Sequence, residues 1–333
     1  MMHRALFTMV FACAFLLAGC GGKKDSEASE TKLPIVYAPD FSLPDFSGAR
    51  SMELLRSQTD FGPRAPNTPA HDSCLAFFER FLTPLAGEVV LQRFEMPGYD
   101  GERLALTNVI ARFNPAAKQR ILLAAHWDSR PRADRETSPA RQGEPILGAN
   151  DGASGVAVLL HLAEIFAKNP PSVGVDIVLF DGEDYGREGD ESMYCLGSKY
   201  YSASLAPGSG LMFGILLDLV GDADARFVQE ELSLRYAPDV VRMIWEAARD
   251  LSIPRFVAES HSGILDDHVF LSTAAGVKTA NIIDASLVGH SDPVERRKYW
   301  HTHRDTPEQC SPATLRDVGR VVLYVVYGHK PSA

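Results

Sequence analysis

The stretch RILLAAHWD, residues 120–128, decides the fold of this chain. Its first six residues form a nearly continuous apolar run, which is typical of a strand buried on both faces of a parallel sheet. The polar motif HWD follows directly, at the carboxyl end of the run. Because ligands of open α/β sheets bind beyond the carboxyl ends of the strands, we expect residues 126–128 to lie at a functional site.

The same arrangement, a buried strand followed by an acidic motif, recurs along the chain. Three further apolar runs end in this way: 173–180 before DGED, 213–217 before Asp218, and 279–283 before Asp284. Apolar residues at helical spacing lie between or after these strands, at 155–167, 238–251 and 312–327.

The segments upstream of residue 120 complete the pattern. Residues 47–85 have helical spacing with a break at FGPR, residues 61–64, and residues 89–95 and 104–113 alternate apolar and polar side chains. Alternation of buried strands with helices predicts a sheet covered on both faces. We therefore expect a three-layer α/β/α fold with a mostly parallel central mixed sheet.

The amino terminus has the pattern of a targeting signal. A basic start at residues 1–4 and a short apolar run at 5–17 precede LAGC, which ends at Cys20. This resembles a bacterial lipoprotein signal, so we expect lipidation of Cys20, a place in the bacterial cell envelope, and membrane contact only through the lipid. The expected organisation is a signal at 1–20, a flexible tether at 21–45 and a single catalytic domain at 46–333.

The net charge restricts the classes of molecule that we expect this protein to bind. The formal net charge of -10 disfavours nucleic acids and anionic membrane surfaces, while a peptide with a free amino terminus is a compatible ligand.

Beyond the signal only Cys74, Cys195 and Cys310 remain, so at most one intramolecular disulfide is possible. We expect these cysteines to serve in packing.

Asp151, Asp184 and His301 are the candidate ligands of a catalytic zinc ion. Two carboxylates and one imidazole would leave the metal Lewis-acidic, with an open position for a carbonyl oxygen. Neighbouring side chains at a strand end point in different directions, so Glu183 can act as the proton shuttle while Asp184 binds the metal.

His126 and Asp218 complete the predicted pocket. They either bind a second metal ion or form hydrogen bonds to the ligands of the first. Each motif alone is weak evidence, because an Asp-Gly after a strand is more often a turn and a lone histidine is more often a bonded polar group. Five such motifs in order at strand ends favour a site.

The motifs together resemble the zinc-dependent aminopeptidase superfamily and, within it, the bacterial glutaminyl cyclases. The resemblance covers nearly all of the chain after the tether. It rests on TDFGPR at 59–64, AHWDSRP at 125–131, ILGANDGASGV at 146–156, CLGS at 195–198, GILLD at 214–218, DDH at 266–268 and YWHT at 299–302.

The resemblance implies one zinc ion held by Asp151, Asp184 and His301, with Glu183 as the proton shuttle. It places Asp218 and Asp266 in a carboxylate network beside that base, where like charge would raise its proton affinity. It also places Trp300 in the wall of the substrate pocket.

The chain departs from the animal members of this group at two points. Their second ligand is Glu, so Asp184 has a shorter reach and requires the backbone to lie closer to the metal. A second pocket tryptophan of the animal enzymes has no evident counterpart in residues 185–191. The shape of that pocket wall is therefore left open by the sequence.

The activity implied is that of a glutaminyl-peptide cyclotransferase, which closes an amino-terminal Gln of a peptide or protein to pyroglutamate and releases ammonia. An aminopeptidase is the first alternative: its two zinc ions would share Asp151, with His126 and Asp218 on the second ion. A non-catalytic binding protein is the second alternative. An uncompensated cluster of so many carboxylates disfavours it, because the charges would repel one another without a cation.

Overall fold

The computed structural model describes residues 42–99 and 101–330. The expected signal with Cys20, and all of the expected tether before residue 42, lie outside the described residues. A six-stranded sheet forms the centre of the structure, in the order β1-β2-β4-β3-β5-β8. Its strands are β1 Glu88–Pro97, β2 Arg103–Phe113, β3 Arg120–His126, β4 Gly174–Phe180, β5 Leu211–Asp218 and β8 Thr279–Ile283.

The sheet is mixed, as the sequence predicts. Strands β4, β3, β5 and β8 run parallel to one another, whereas β2 pairs antiparallel with both β1 and β4. Every residue of β3 and β4 is buried, because helices cover both faces of these central strands. The carboxyl ends of the four parallel strands therefore meet at one edge.

Eight helices are described: α1 Gly48–Thr59, α2 Pro69–Leu82, α3 Ala153–Lys168, α4 Leu196–Ser204, α5 Glu231–Tyr236, α6 Pro238–Asp250, α7 Asp267–Thr273 and α8 Pro312–Gly328. Helix α3 packs on β3 together with α1 and α8. On the other face, Leu122 and Ala124 pack in a cluster with Tyr201 of α4 and Leu271 of α7. Successive residues of a strand point to opposite faces, so the three predicted layers are present.

Two parts of the structure were not predicted. A second sheet pairs the short strands β6 Phe227–Glu230 and β7 Phe256–His261, which carry no clear apolar alternation. The helices α4, α5 and α7 have nine residues or fewer, too short for a periodic pattern to stand out. No helix among the described residues is long and apolar enough to cross a membrane.

The cysteines are buried in the described part of the chain. Cys74, Cys195 and Cys310 are all free thiols with less than a tenth of their surface exposed. The one disulfide that the sequence allowed is therefore absent among them. Apolar packing and buried hydrogen bonds hold this fold together.

Gly155 allows α3 to lie close to the sheet. A Cβ atom at this position would stand 2.3 Å from the carbonyl oxygen of Leu217 and 3.0 Å from the Cβ of Ala125. The backbone oxygen cannot move without disturbing β5. The close approach of α3 to the sheet, which brings residues 150–152 to the strand ends, therefore requires a glycine.

We expect Gly155→Ala to lower the free energy of unfolding by about 1–3 kcal/mol, the usual cost of overpacking a core. Urea denaturation measures it. Gly143→Ala is the matched control, because a methyl group at Gly143 would meet no atom within 4 Å and the position needs no unusual backbone angle. Equal stability of the two variants would contradict the close-packing account.

Candidate active site

A cavity of about 290 Å³ opens at the carboxyl edge of the sheet. Seven of the eight residues predicted for the site line it, and the eighth, His126, is buried below with 1% of its surface exposed. The seven are Asp151, Glu183, Asp184, Asp218, Asp266, Trp300 and His301. Four apolar side chains also line the cavity: Ile264, Leu265, Ile283 and Val288.

Asp151, Asp184 and His301 form a cluster suited to a cation. The Nε2 atom of His301 lies 3.6 Å from Oδ2 of Asp151 and 3.4 Å from Oδ1 of Asp184. One ligand atom from each residue falls within 4.8 Å of the others. The Oδ2 atoms of Asp151 and Asp184 are buried and have no hydrogen-bond partner, a costly arrangement that a bound cation would relieve.

The protonation states fit the same interpretation. Burial and the nearby charge of Arg130 lower the pKa of His301 to about 4, so the imidazole is neutral and its Nε2 lone pair is free to bind a metal. Burial, and then the charge of Asp151, raise the pKa of Asp184 well above its ordinary value. These residues fit a zinc ion by donor type, proximity and unmet charge.

Asp128 holds the turn after β4. Its Oδ1 accepts the amide N–H of Glu183 at 3.0 Å and its Oδ2 accepts that of Asp184 at 3.2 Å. A completely buried carboxylate that accepts two charge-assisted hydrogen bonds fixes both the candidate base and the candidate ligand. This explains why the HWD motif ends in Asp.

Asp305 holds the turn before α3 in the same way. Its Oδ1 accepts the amide N–H of Asn150 at 2.8 Å, and its Oδ2 accepts that of Asp151 at 3.1 Å. Burial, and then the charge of Asp151, raise the pKa of Asp305 to about 7. Sequence reasoning missed this residue, because only the fold brings it beside residues 150–151.

His126 bridges two carboxylates below the cavity. Its Nε2 lies 3.2 Å from Oδ1 of Asp151 and 3.2 Å from Oδ1 of Asp218. Burial opposes a charge on this ring, yet hydrogen bonds to Asp128, Asp151 and Asp218 raise the pKa of His126 well above its ordinary value. A protonated imidazole at this position neutralises carboxylates that would otherwise repel each other.

Glu183 is a partly buried carboxyl group with a high proton affinity. Burial raises its pKa well above the ordinary value, and the charges of Asp266, Asp184 and Asp267 raise it further. The charge of Asp266 thus acts in the direction that the sequence predicts. Asp218 is not among the principal contributors, contrary to expectation; its own pKa rises to about 7, through burial and then the charges of Asp151 and Asp266.

Cys195 supports Glu183 and was missed as a site residue. Its thiol donates to Oε1 of Glu183 at 3.3 Å, and its amide N–H donates to the carbonyl oxygen of Glu183 at 2.9 Å. Asp266 lies beside this pair, where its Oδ2 accepts the amide of Asn281 at 2.6 Å. Cys195 has φ 56°, at the residue preceding α4.

The loop that carries Trp300 and His301 is anchored by a buried ion network. Arg297 forms ion pairs with Asp222, Asp284 and Asp292. Arg297 thereby connects Asp284, at the end of β8, to this loop. The Trp300 ring stacks on the ring of His301 with centroids 3.4 Å apart, and it lines the cavity.

The polar composition of residues 130–147 predicts a surface loop, and the structure contradicts this prediction for the first residues of the segment. Arg130 is 1% exposed and Ala133 is fully buried. Arg130 reaches Asp184, and Asp134 reaches His301. The polar composition misled the prediction, because these charges are paired with candidate ligands rather than with water.

Comparison with known proteins places the fold and the site in one family. Residues 108–326 match the model of peptidase family M28. The chain belongs to peptidase family M28. Glutaminyl cyclase from Bacteroides thetaiotaomicron, solved with bound N-acetylhistamine, is 37% identical to it with a TM-score of 0.82, over 87% of this chain and 100% of that one.

Other similar proteins are named as exopeptidases or as glutaminyl cyclases. A zinc-dependent exopeptidase from Parabacteroides distasonis is 35% identical with a TM-score of 0.81, over 86% of this chain and 99% of that one. The bovine glutaminyl-peptide cyclotransferase is 24% identical over 262 residues, which are 67% of this chain and 66% of the bovine protein. The matched region thus spans slightly under two thirds of that relative. These similarities confirm the α/β/α fold and its resemblance to the glutaminyl cyclases.

We expect zinc to stabilise the wild-type protein, because it would bind the native cluster and not the unfolded chain. Saturation at a hundredfold excess over the dissociation constant adds about 2.7 kcal/mol, and a chelator removes it. Thermal unfolding with and without zinc measures the gain. The variant His301→Gln should show no zinc-dependent gain in stability.

His303→Gln is the matched control for this measurement. His303 lies two residues away, where its Nδ1 contacts Glu136 at 3.1 Å and its Nε2 contacts Glu144 at 3.2 Å. Its variant should retain the zinc-dependent gain. A gain that survives in His301→Gln would contradict the assignment of His301 as a ligand.

Proposed function

We propose that this protein is a glutaminyl-peptide cyclotransferase, which converts the amino-terminal Gln of peptides or proteins to pyroglutamate and releases ammonia. The observation that carries the proposal is the position of Glu183. A partly buried carboxyl group of raised pKa lies in a small cavity, beside a cluster of three residues suited to one zinc ion. The similarity to glutaminyl cyclases over nearly the whole chain supports it.

Asp151, Asp184 and His301 would hold the zinc ion, whose chemistry is to polarise the γ-carbonyl of the substrate Gln. The unpaired Oδ2 atoms of the two aspartates and Nε2 of His301 are the atoms available for this role. Asp128 and Asp305 fix the backbone of both aspartates, so the donor atoms are arranged before substrate arrives.

Glu183 would move the proton. It would take a proton from the α-amine as the amine nitrogen bonds to Cδ, the carbonyl carbon of the Gln side chain. The bond from Cδ to the side-chain amide nitrogen then breaks, and Glu183 passes the proton to that nitrogen, which leaves as ammonia. Its raised pKa suits a group that must both accept and return a proton near neutral pH. Asp266 keeps that affinity high by its charge.

The cavity walls would hold the Gln residue in the bent shape that ring closure needs. Trp300, Ile264, Ile283 and Val288 belong to one apolar cluster that lines the cavity. Intramolecular ring closure already has a large effective molarity, so positioning and charge stabilisation are the main tasks left to the protein. A volume of about 290 Å³ suits one amino-acid side chain better than an extended peptide.

We propose one zinc ion rather than two. Nε2 of His126, the atom that a second ion would need, hydrogen-bonds to Asp218 and lies 3.2 Å from Asp151. A charged imidazole at that position replaces the second cation. The two unpaired carboxylate oxygens belong instead to Asp151 and Asp184 of the first cluster.

An aminopeptidase is the second candidate, and a specific observation favours it. His126, Asp151 and Asp218 also bring their ligand atoms within 4.8 Å of one another, as a second metal site would require. A structure named as a leucine aminopeptidase precursor from Bacteroides thetaiotaomicron is 36% identical with a TM-score of 0.81, over 87% of this chain. Substrate preference separates the two functions.

The test compares a Gln-initiated peptide with a Leu-initiated peptide of otherwise equal sequence, followed by mass spectrometry on the zinc-loaded protein. We expect loss of ammonia from the first peptide and no change in the second. Glu183→Gln should lower the rate of ammonia loss by about 10²–10⁴-fold, the usual contribution of a general base, while zinc stays bound. Release of free Leu would overturn the proposal in favour of the aminopeptidase.

The acid limb of the pH–activity profile reports the proton affinity of Glu183. The base works only when deprotonated, so activity rises as pH rises through its pKa. Asp266→Asn removes a like charge within 4.8 Å and lowers that pKa, so the limb should move to lower pH by about one to two units. Initial rates across pH measure it.

Glu191→Gln provides the control, because Glu191 is an exposed carboxylate at the same cavity. Water screens its charge, so its removal should leave the limb within a few tenths of a pH unit. A limb that stays in place in Asp266→Asn, or moves to higher pH, would refute the role of Asp266.

A further inference from the structure

Arg130 is a buried cation that binds both the backbone and the side chain of a candidate zinc ligand. Its Nη1 donates to Oδ1 of Asp184 at 2.6 Å and to the carbonyl oxygen of Asp184 at 3.1 Å. Only 1% of the arginine is exposed. The other guanidinium nitrogens, Nε and Nη2, remain free to bind a group on another side, which the single nitrogen of an ammonium group cannot do in the same geometry.

Asp134 joins Arg130 to a second candidate ligand. Nε and Nη2 of Arg130 donate to its two carboxylate oxygens at 2.9 and 2.5 Å. The same Oδ1 lies 3.4 Å from Nδ1 of His301. The chain of contacts therefore runs from Asp184 through Arg130 and Asp134 to His301, along the outer side of the candidate metal cluster.

These contacts occupy the atoms of the two ligands that do not face the unmet charge. Asp184 has Oδ1 bound by Arg130 and Oδ2 without a partner. His301 has Nδ1 beside Asp134 and Nε2 toward Asp151 and Asp184. Oδ2 of Asp184 and Nε2 of His301 thus remain available to a cation, whereas Oδ1 of Asp184, the oxygen nearest to Nε2 of His301 at 3.4 Å, is held by Arg130.

We propose that Arg130 and Asp134 are positioning residues for zinc, a clamp that fixes Asp184 and His301 so that Oδ2 of the one and Nε2 of the other face the metal. The inference rests on the metal cluster of the proposed function. It also accounts for a short ligand: Arg130 ties the Asp184 carboxylate to the Asp184 backbone, which limits the freedom of a side chain whose reach is one methylene less than that of Glu.

Charge balance requires both members of the clamp. Arg130 alone would repel a cation, but Asp134 offsets that charge, so the clamp as a whole is neutral. Residues that orient metal ligands through hydrogen bonds typically change metal affinity by about 10–100-fold when they are replaced. Loss of Asp134 should weaken zinc binding for two reasons. It frees the ring of His301, and it leaves the charge of Arg130 uncompensated.

The test is the zinc affinity of the purified protein, measured by competition with a chromophoric chelator. We expect Asp134→Asn to raise the zinc dissociation constant about 10–100-fold. Arg130→Lys keeps the charge and removes the fork, so a rise of about tenfold or more isolates the geometric effect. The double variant should lose less zinc-binding free energy than the sum of the losses in the two single variants, because the residues act as a unit.

Asp176→Asn is the matched control for loss of a buried ion pair. Asp176 and Arg120 have side chains 7% and 6% exposed, and Arg120 begins β3 at the end of the sheet far from the cavity. This variant should lower the melting temperature and leave zinc affinity unchanged. Zinc affinity therefore separates positioning from general stability.

The outcomes are distinguishable. If the clamp variants melt lower but bind zinc within twofold of the wild type, as the control does, the clamp inference is overturned. If the wild type itself binds no zinc, the metal cluster of the proposed function fails instead. Should Asp134→Asn not fold, Arg130→Lys decides alone. Recovery of peptide cyclisation by excess zinc in the variants would further support an effect through affinity.

Discussion

The site depends on two buried carboxylates that grip backbone amides. Asp128 binds the successive N–H groups of residues 183–184, and Asp305 binds those of residues 150–151. Each carboxylate fixes the backbone of one turn at the carboxyl edge of the sheet. Together the two turns carry the candidate base and two candidate zinc ligands. Neither carboxylate could be replaced by an amide without loss, because an amide offers one acceptor oxygen and would oppose N–H to N–H.

The concentration of negative charge is the second constraint. Six carboxylates line the cavity, and the five other than the exposed Glu191 lie where they would repel one another; burial alone raises the proton affinity of most of these five. The structure offsets this charge with Arg130 on the outer side and a protonated His126 below. One gap is left, between the unpaired oxygens of Asp151 and Asp184, where a divalent cation completes the balance.

The fold could be predicted because buried strands and amphipathic helices leave strong periodic signals, as residues 120–125 and 155–167 do. The candidate residues could be found because each follows such a strand or belongs to a motif of the family. Arg130, Asp134, Cys195 and Asp305 could not, since their roles exist only through partners that the fold brings close. A polar loop such as 130–147 gives no local sign that its first charges turn inward, and the short strands β6 and β7 give no periodic signal.

The central claim is that one zinc ion completes this site while His126 and Asp218 stay paired with each other. Elemental analysis joined to zinc X-ray absorption, on protein loaded with excess zinc and freed of unbound metal, tests it most directly. The account predicts one zinc ion per chain, with oxygen and one imidazole among its neighbours and no metal–metal scattering. Two zinc ions per chain with scattering at about 3.5–4 Å would contradict it.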